Sequence, residues 1–444
     1  MTMMPRFFYS LLFYLLLPFI LLRLFWRGRK QPGYRRKWRE RLAFYDTRLS
    51  PSPTPIIWLH AVSVGETYAA KPLIDALLCH YPDHHLLISS TTPTGFATVA
   101  ELYRHEERIL QTWLPYDLPC AARRFFRHFK PAFGILMETE IWPNLIAVAA
   151  RQKIPLVLAN ARLSKRSARA YTRIAPLIRP ALASLAAVIA QSEADANRLA
   201  ILGAPRISIC GNLKFDALPD PALLNLGKEW KTAIQRPIWL AASTREGEEE
   251  LLLDLQKKLC KTPIRPLLVL VPRHPQRFAA VAGLIAQRGL LFSRRSEGLP
   301  EREGEVWLGD SMGEMPAYYR MADLAFIGGS LMPLGGQNLI EAAASSCPVL
   351  IGPHTFNFAQ ATIDAIAAGA ARRVQNTEEL GKEISALLAD PTELKTMTNA
   401  ALTFAGEYRG ATNKTLRILD SVGRRQMSED RCQVSEVRGQ GSGG

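Results

Sequence analysis

The 444-residue sequence contains no Cys-x-x-Cys pair. Its six cysteines, Cys79, Cys120, Cys210, Cys260, Cys347 and Cys432, are scattered along the chain. That excludes a zinc site of the usual ligand spacing and argues against a disulfide framework, so a reducing compartment is expected. The loop after the first expected strand lacks the Gly-x-Gly-x-x-Gly fingerprint, which disfavours a tightly bound dinucleotide. Charge is missing from residues 7–22 (FFYSLLFYLLLPFILL), a run that covers about 24 Å of a ~30 Å hydrocarbon core at ~1.5 Å per residue. No small-x-small cleavage site follows it, because Arg23, Arg27, Arg29 and Lys30 come next. The run therefore reads as a retained membrane anchor rather than a cleaved signal.

Acidic residues are scarce just beyond it. Nine cations between 23 and 41 face Glu40 alone, a local balance of +8 in a chain of net +15. Beside an apolar anchor such a run is a juxtamembrane segment drawn to anionic inner-membrane lipids, and the positive-inside bias puts the rest of the chain on the cytoplasmic face. No aromatic-basic stacking surface accompanies it, so no nucleic-acid partner is expected.

With 48% apolar and 21% charged residues, the remainder is folded and too long for one core. Short apolar runs near 56–61, 85–90, 109–114, 132–137, 154–159, 187–191 and 206–210 alternate with amphipathic stretches, which predicts a doubly wound α/β sheet. A second series follows near 237–242, 267–271, 289–293, 304–308, 323–327, 348–351 and 371–374. The two series begin alike: Ile57-Trp58-Leu59 precedes Ser63 and Gly65-Glu66, while Ile238-Trp239-Leu240 precedes Ser243 and Gly247-Glu248. Two related Rossmann-like halves facing a cleft are expected. The expected divisions are 1–41 as anchor and basic segment, 42–213 and 237–422 as the two domains, 214–236 as a linker with one helical turn or more in which Pro219 and Pro221 interrupt any longer element, and 423–444 as a disordered tail, with one long helix over 391–418.

Candidate chemistry sits at strand ends. Glu66 falls in the first turn of a helix, where it either serves a ligand or merely complements the helix dipole; Ser63 and Gly65 share that loop. Glu138 and Glu140 end another strand, and which of them faces the site stays open. Arg162 and Lys214 follow further strands. In the second half, residues 326–341 (FIGGSLMPLGGQNLIE) pair Gly328-Gly329 with Gly335-Gly336 ahead of a helix beginning near Gln337. Bare backbone N–H groups there suit a phosphate, and Asn338 and Glu341 could hold a ribose. Arg245, Arg273, His274 and Arg277 add cations, and Met312-Gly313-Glu314 lies in a glycine-flanked loop. His80, His84 and His85 read as surface residues, since Pro82 prevents one helix from presenting His80 and His84 together.

Taken in order, the basic anchor, HAVSVGE, METEIWPN, NARLS, GNLKFD, STREGEE, PRHPQRF, GDSMGEM and GGSLMPLGGQNLIE resemble the 3-deoxy-D-manno-oct-2-ulosonic acid (Kdo) transferases. The resemblance runs to about residue 420. It implies a GT-B glycosyltransferase that moves Kdo from CMP-Kdo onto a lipid A precursor, lipid IVA, in lipopolysaccharide synthesis, with inversion and with no metal or other cofactor. It further implies Glu66 as general base, Glu138 and Lys214 as stabilisers of the transition state, and Arg273, His274, Met312, Gly313, Glu314, Asn338, Leu339, Ile340 and Glu341 as the CMP site. Ser63, Gly65, Arg162, Arg245, Gly335 and Gly336 remain candidate phosphate or acceptor contacts. The competing readings are a GT-B enzyme using a UDP-sugar and a non-catalytic lipid A binding protein. By the same resemblance, residues 7–41 would hold the site at headgroup height.

Overall fold

The computed structural model describes residues 3–45, 54–216 and 219–424; most of the expected tail, 425–444, lies outside them. The chain divides into two compact units, Met1–Ala217 with Gly410–Gly444, and Leu218–Arg409.

The first unit is built on a seven-stranded parallel sheet, β1 (Ile56–His60), β2 (His85–Ser90), β3 (Ile109–Trp113), β4 (Phe133–Met137), β5 (Leu156–Ala161), β6 (Ala187–Ala190) and β7 (Ile207–Ile209), in the order β3-β2-β1-β4-β5-β6-β7. These strands read as near-continuous apolar runs because helices cover both faces. Trp58, Leu136, Leu158 and Val188 point into one core. Their neighbours Leu59, Ile135, Val157 and Ile189 point into the other, as the two-residue strand period requires.

The second unit repeats the plan with β8 (Ile238–Thr244), β9 (Leu267–Pro272), β10 (Phe292–Arg294), β11 (Val306–Leu308), β12 (Leu324–Ile327), β13 (Val349–Ile351) and β14 (Ala371–Arg373), ordered β10-β11-β9-β8-β12-β13-β14. All fourteen expected strands are present among the described residues. The repeat extends to detail. Trp58 and Trp239 are both fully buried, and their indole N–H groups donate to Ser89 Oγ and Gln256 Oε1, each at 2.8 Å.

Three elements differ from the sequence expectation. The linker range holds a 14-residue helix, Pro221–Ile234, with Asp220 accepting the Ala222 N–H at 2.8 Å. Pro221 thus starts a helix instead of interrupting one, and Trp230 packs that helix edge-on against Trp307 at 5.2 Å. The single helix expected over 391–418 stops at Glu407 and resumes over 411–424. Gly410 takes φ +102° at the break, and Asp216 accepts the N–H groups of Gly410 and Thr412. Finally, 411–424 belongs to the first unit and not to the second domain, because Ala411, Leu419 and Val422 join the first unit's core.

The N-terminal helix, Met3–Lys30, has 28 residues and continues past the charge-free run. Among the described residues it is the one helix long and apolar enough to cross a membrane. One stripe docks on the first unit: Phe13 and Leu17 pack against its core, Leu24 is buried, and Ser10 Oγ donates to Asn144 Oδ1 at 3.0 Å. The opposite stripe, Phe8, Leu15, Phe19, Leu22 and Trp26, is exposed.

Trp58 also meets Phe125 and Phe126 edge-on at 4.9 and 5.7 Å. Trp58→Ala is expected to cost about 3–5 kcal/mol, read as an earlier urea midpoint for protease susceptibility of the first unit. An unchanged midpoint would contradict this packing.

Candidate active site

The order of the first sheet reverses between β1 and β4, and open α/β sheets bind ligands at such a point. The chain leaves β1 through His60 and enters the helix Val64–His80, whose N-cap is Ser63. Gly65 is exposed. Glu66 is the third residue of that helix and reaches back, its Oε2 accepting the Val62 N–H at 2.8 Å. A carboxylate in a first turn is normally stabilised by the helix dipole. Here burial outweighs that and raises Glu66 from 4.5 to about 7; the Val62 N–H lowers it, Glu140 and Glu138 raise it, and His60 lowers it. The side chain is therefore both a cap and an acid held close to neutrality.

A turn at the end of β4 separates the two carboxylates that follow. Glu138 takes φ +55° and lies 3.8 Å from Lys214 Nζ. Glu140 turns the other way, accepting the Trp142 indole N–H at 2.8 Å and lying 3.6 Å from His60 Nε2. Both lie near enough to Glu66 to act on its charge. Lys214 reaches this place because Asn160 Oδ1 accepts the Leu213 N–H at 3.1 Å and Asn212 Oδ1 the Lys214 N–H at 3.0 Å. Arg162, after β5, is exposed. His80 pairs with Asp420 at 2.9 Å, at the far end of the helix from Glu66.

In the second unit the order reverses between β8 and β12. Gly328 must be glycine, since a Cβ there would stand 2.6 Å from the Ser243 carbonyl oxygen, and Gly329 brings the chain beside Arg245. The Gly336 N–H closes the loop onto the Gly329 carbonyl at 2.8 Å, with Gly335 and Gly336 at φ +92° and +71°. The following helix, Leu339–Ala344, starts two residues later than expected and is capped by Asn338 Oδ1 on the Ile340 N–H at 3.1 Å. Leu339 and Ile340 are buried in the core, so only their backbone could meet a ligand. Glu341 is raised by burial and lowered by Arg273. Arg273 and His274 are exposed. Arg277 is taken instead by Glu246 and Glu249, each at 3.3 Å, so of the three basic side chains expected after β9 only Arg273 and His274 are left exposed. Met312 is exposed, Gly313 turns at φ +84°, and Glu314 Oε1 accepts Arg295 Nη2 at 2.9 Å. Glu314 Oε2 is buried without a hydrogen-bond partner among the described residues. Among the described residues no group of three or more His, Cys, Asp or Glu could hold a metal ion.

Sequence reasoning passed over three positions. His60 is fully buried, its Nδ1 donating to the Ser89 carbonyl at 2.9 Å and its Nε2 turned to Glu140. Asn144 ties the N-terminal helix to Asp117, which accepts the Asn144 and Leu145 N–H groups at 3.0 and 2.8 Å and is raised by burial to about 6. Pro143-Asn144, a short turn beyond the end of β4 at Met137, was the available signal of that helix start. Glu248, also fully buried, accepts from the N–H groups of Gly329, Arg245 and Leu331 at 2.6, 3.0 and 3.1 Å.

A family model described as 3-deoxy-D-manno-octulosonic-acid transferase (kdotransferase) matches residues 36–217. The chain is 44% identical over 381 residues to the 3-deoxy-D-manno-octulosonic acid transferase of Bordetella pertussis, covering 83% of this chain and 88% of that protein. It is 38% identical over 424 residues to the corresponding transferase of Haemophilus influenzae, covering 94% and 98%. Among solved structures, a glycosyltransferase from Rickettsia africae superposes with a TM-score of 0.57 at 14% identity, covering 85% of this chain and 99% of that one; this likeness concerns the fold alone.

Glu248→Ala would strip three backbone N–H groups, that of Gly329 fully buried, of their acceptor, at a cost on the order of 3 kcal/mol. Amide exchange over 328–331, followed by mass spectrometry, is expected to accelerate; parent-like protection would mean that Glu248 does not hold the loop.

Proposed function

The chain belongs to the 3-deoxy-D-manno-octulosonic acid transferase family, and from that premise we propose that Glu66 is the base that accepts the proton of the acceptor hydroxyl. The protein is a Kdo transferase of lipopolysaccharide biosynthesis, with CMP-Kdo as donor and a lipid A precursor as acceptor. The relatives do not favour the UDP-sugar or the non-catalytic reading. A sugar hydroxyl does not ionise unaided near neutrality, so a base must remove its proton as the glycosyl bond breaks. The observation that carries the assignment is the place of Glu66 at the reversal of strand order, with Oε2 fixed by the Val62 N–H at 2.8 Å; burial there raises the carboxyl to about 7. The proton then goes to Oε1.

In this reading the acceptor oxygen bonds to the anomeric carbon of Kdo from the face opposite CMP, with inversion. The bond from that carbon to the phosphate oxygen breaks, and its electron pair leaves with CMP. A phosphate is a weak base, so the leaving group needs neutralising charge more than a proton. Lys214, oriented by Glu138 at 3.8 Å, supplies such charge. Arg273, His274, the 312–314 turn and the 338–341 segment are proposed to hold CMP, with Arg245 and the Gly335-Gly336 backbone beside its phosphate.

The docked stripe of the N-terminal helix supports a monotopic placement. Protein covers one side of it from Ser10 to Leu24, the stretch that would occupy the hydrocarbon if the helix crossed. The exposed stripe of Phe8, Leu15, Phe19, Leu22 and Trp26 would then enter the cytoplasmic face of the inner membrane, with the basic segment on anionic lipid headgroups.

The base works as a carboxylate, and its value in the folded protein is raised. Activity is therefore complete above about pH 7 and lost below it: kcat/KM should fall about tenfold per pH unit on the acid side of 7. A plateau reaching down to pH 5 would remove Glu66 from this role. Glu66→Gln should leave CMP binding by calorimetry intact and reduce transfer by about a thousandfold or more, whereas near-parent turnover would refute the assignment. CMP should also bind more tightly than UDP in the same calorimeter, and the reverse order would overturn the donor assignment.

A further inference from the structure

Lys214 carries the charge proposed to neutralise the leaving phosphate, yet its side chain is loosely held. Its Nζ lies 3.8 Å from Glu138 Oε1, too far for a hydrogen bond, at the end of a flexible four-carbon stem. Where the ammonium stands therefore depends on where its backbone stands. That backbone is a single 3-10 turn, Leu213–Asp216, which packs against the helix Val64–His80 that carries Glu66.

One end of the turn is fixed by Leu213, which is buried in the core and whose N–H is held by Asn160 Oδ1 at 3.1 Å. The other end is Asp216. Its Oδ1 accepts the Gly410 N–H at 2.7 Å, and its Oδ2 accepts the Thr412 N–H. Gly410 and Thr412 open the helix over 411–424. The first N–H groups of a helix need an acceptor from outside it, and Gly410 has no side chain to supply one. Asp216 supplies it from far away in sequence. The chain leaves the first unit after Ala217 and returns at Gly410, so one carboxylate ties the point of departure to the point of return.

The returning helix is also fastened toward its far end. Asp420 pairs with His80 at 2.9 Å and accepts the Tyr81 hydroxyl, where the helix that carries Glu66 closes. Between these ties, Ala411, Leu419 and Val422 share a core cluster with Leu213. The 411–424 helix is thus a brace between the turn that presents the cation and the helix that presents the base.

We propose that Asp216 is the positioning residue for Lys214: by holding the start of the returning helix with both oxygens it fixes the 213–216 turn, and through the turn the place of the ammonium relative to Glu66. This rests on the transferase reading above and deepens it. Asp216 touches no reacting atom and acts through the backbone of its own turn. Asp420 offers the comparison with a purely structural role, because it fastens the same helix at a place remote from Lys214.

The test measures steady-state transfer from CMP-Kdo by the full chain in detergent micelles. Asp216→Asn removes one of the two acceptor oxygens, and Asp216→Glu keeps both but shifts them by one carbon. Each should lower kcat about tenfold or more, because a displaced charge at the reacting centre is costly. The KM for CMP-Kdo should stay within about twofold of the parent value. Asp420→Asn should leave kcat near the parent value. In Lys214→Ala, where kcat is already down about a hundredfold or more, adding Asp216→Asn should cause no further loss, since the two residues act as one unit. Should Asp216→Asn fail to fold, Asp216→Glu, which still holds the helix, carries the same comparisons. Parent-like kcat in the Asp216 variants, an equal loss in Asp420→Asn, or a loss that persists in full without Lys214 would each overturn the proposal. Parent-like turnover in Lys214→Ala would strike the reading of Lys214 and the proposal with it, whereas a crippled Lys214→Ala beside parent-like Asp216 variants would sink the proposal alone.

Discussion

The proposed role of Glu66 depends on one hydrogen bond, from the Val62 N–H to Glu66 Oε2 at 2.8 Å. It fixes the carboxyl at the mouth of β1 and leaves one oxygen for a proton. A capping acid on a helix N-terminus would ordinarily be stabilised as the anion. Burial, together with Glu138 and Glu140 nearby, moves it the other way, to about 7. Position and proton affinity are thus set by different parts of the fold. The helix and Val62 place the group; the closed surroundings and the acids after β4 tune it.

The second unit contains the same device put to a different use. Glu248 follows β8 as Glu66 follows β1, at the first turn of a helix beside the reversal of strand order. It is fully buried and accepts three backbone N–H groups. Both of its oxygens are engaged in this way by the backbone of the loops around it. One acid therefore holds the Gly328-Gly329 loop, and its counterpart is held by a single N–H of its own loop, which in the proposed reading leaves an oxygen for the proton.

Strand positions were legible because the central strands of both sheets are apolar on both faces, a pattern that survives without tertiary context. The start of the helix at Pro221 was misjudged because proline was taken as a breaker, when at the first helical position it is an initiator. The break at Gly410 was invisible locally, since Asp216, almost two hundred positions earlier, holds it. Glu66, Glu138 and Lys214 were named for their residue types and by the resemblance, and the structure puts Glu138 3.8 Å from Lys214 and near enough to Glu66 to act on its charge. What the motifs could not say was direction. Glu138 turns to Lys214 and Glu140 to His60 only because the chain enters a left-handed turn directly after β4. Nor did Arg277 betray its partners, which come from the helix start after β8. The N-terminal helix was read as an anchor from composition, but its docking through Ser10 and Asn144 is tertiary information that hydrophobicity alone does not carry.

The central claim is that a single carboxyl of the first unit titrates near neutrality and not in the ordinary acid range. Carbon-13 NMR of protein labelled at the glutamate carboxyl, with the resonance assigned by its absence in Glu66→Gln, measures this without turnover. The account predicts a midpoint for Glu66 near 7. A midpoint at the ordinary 4.5 would contradict it.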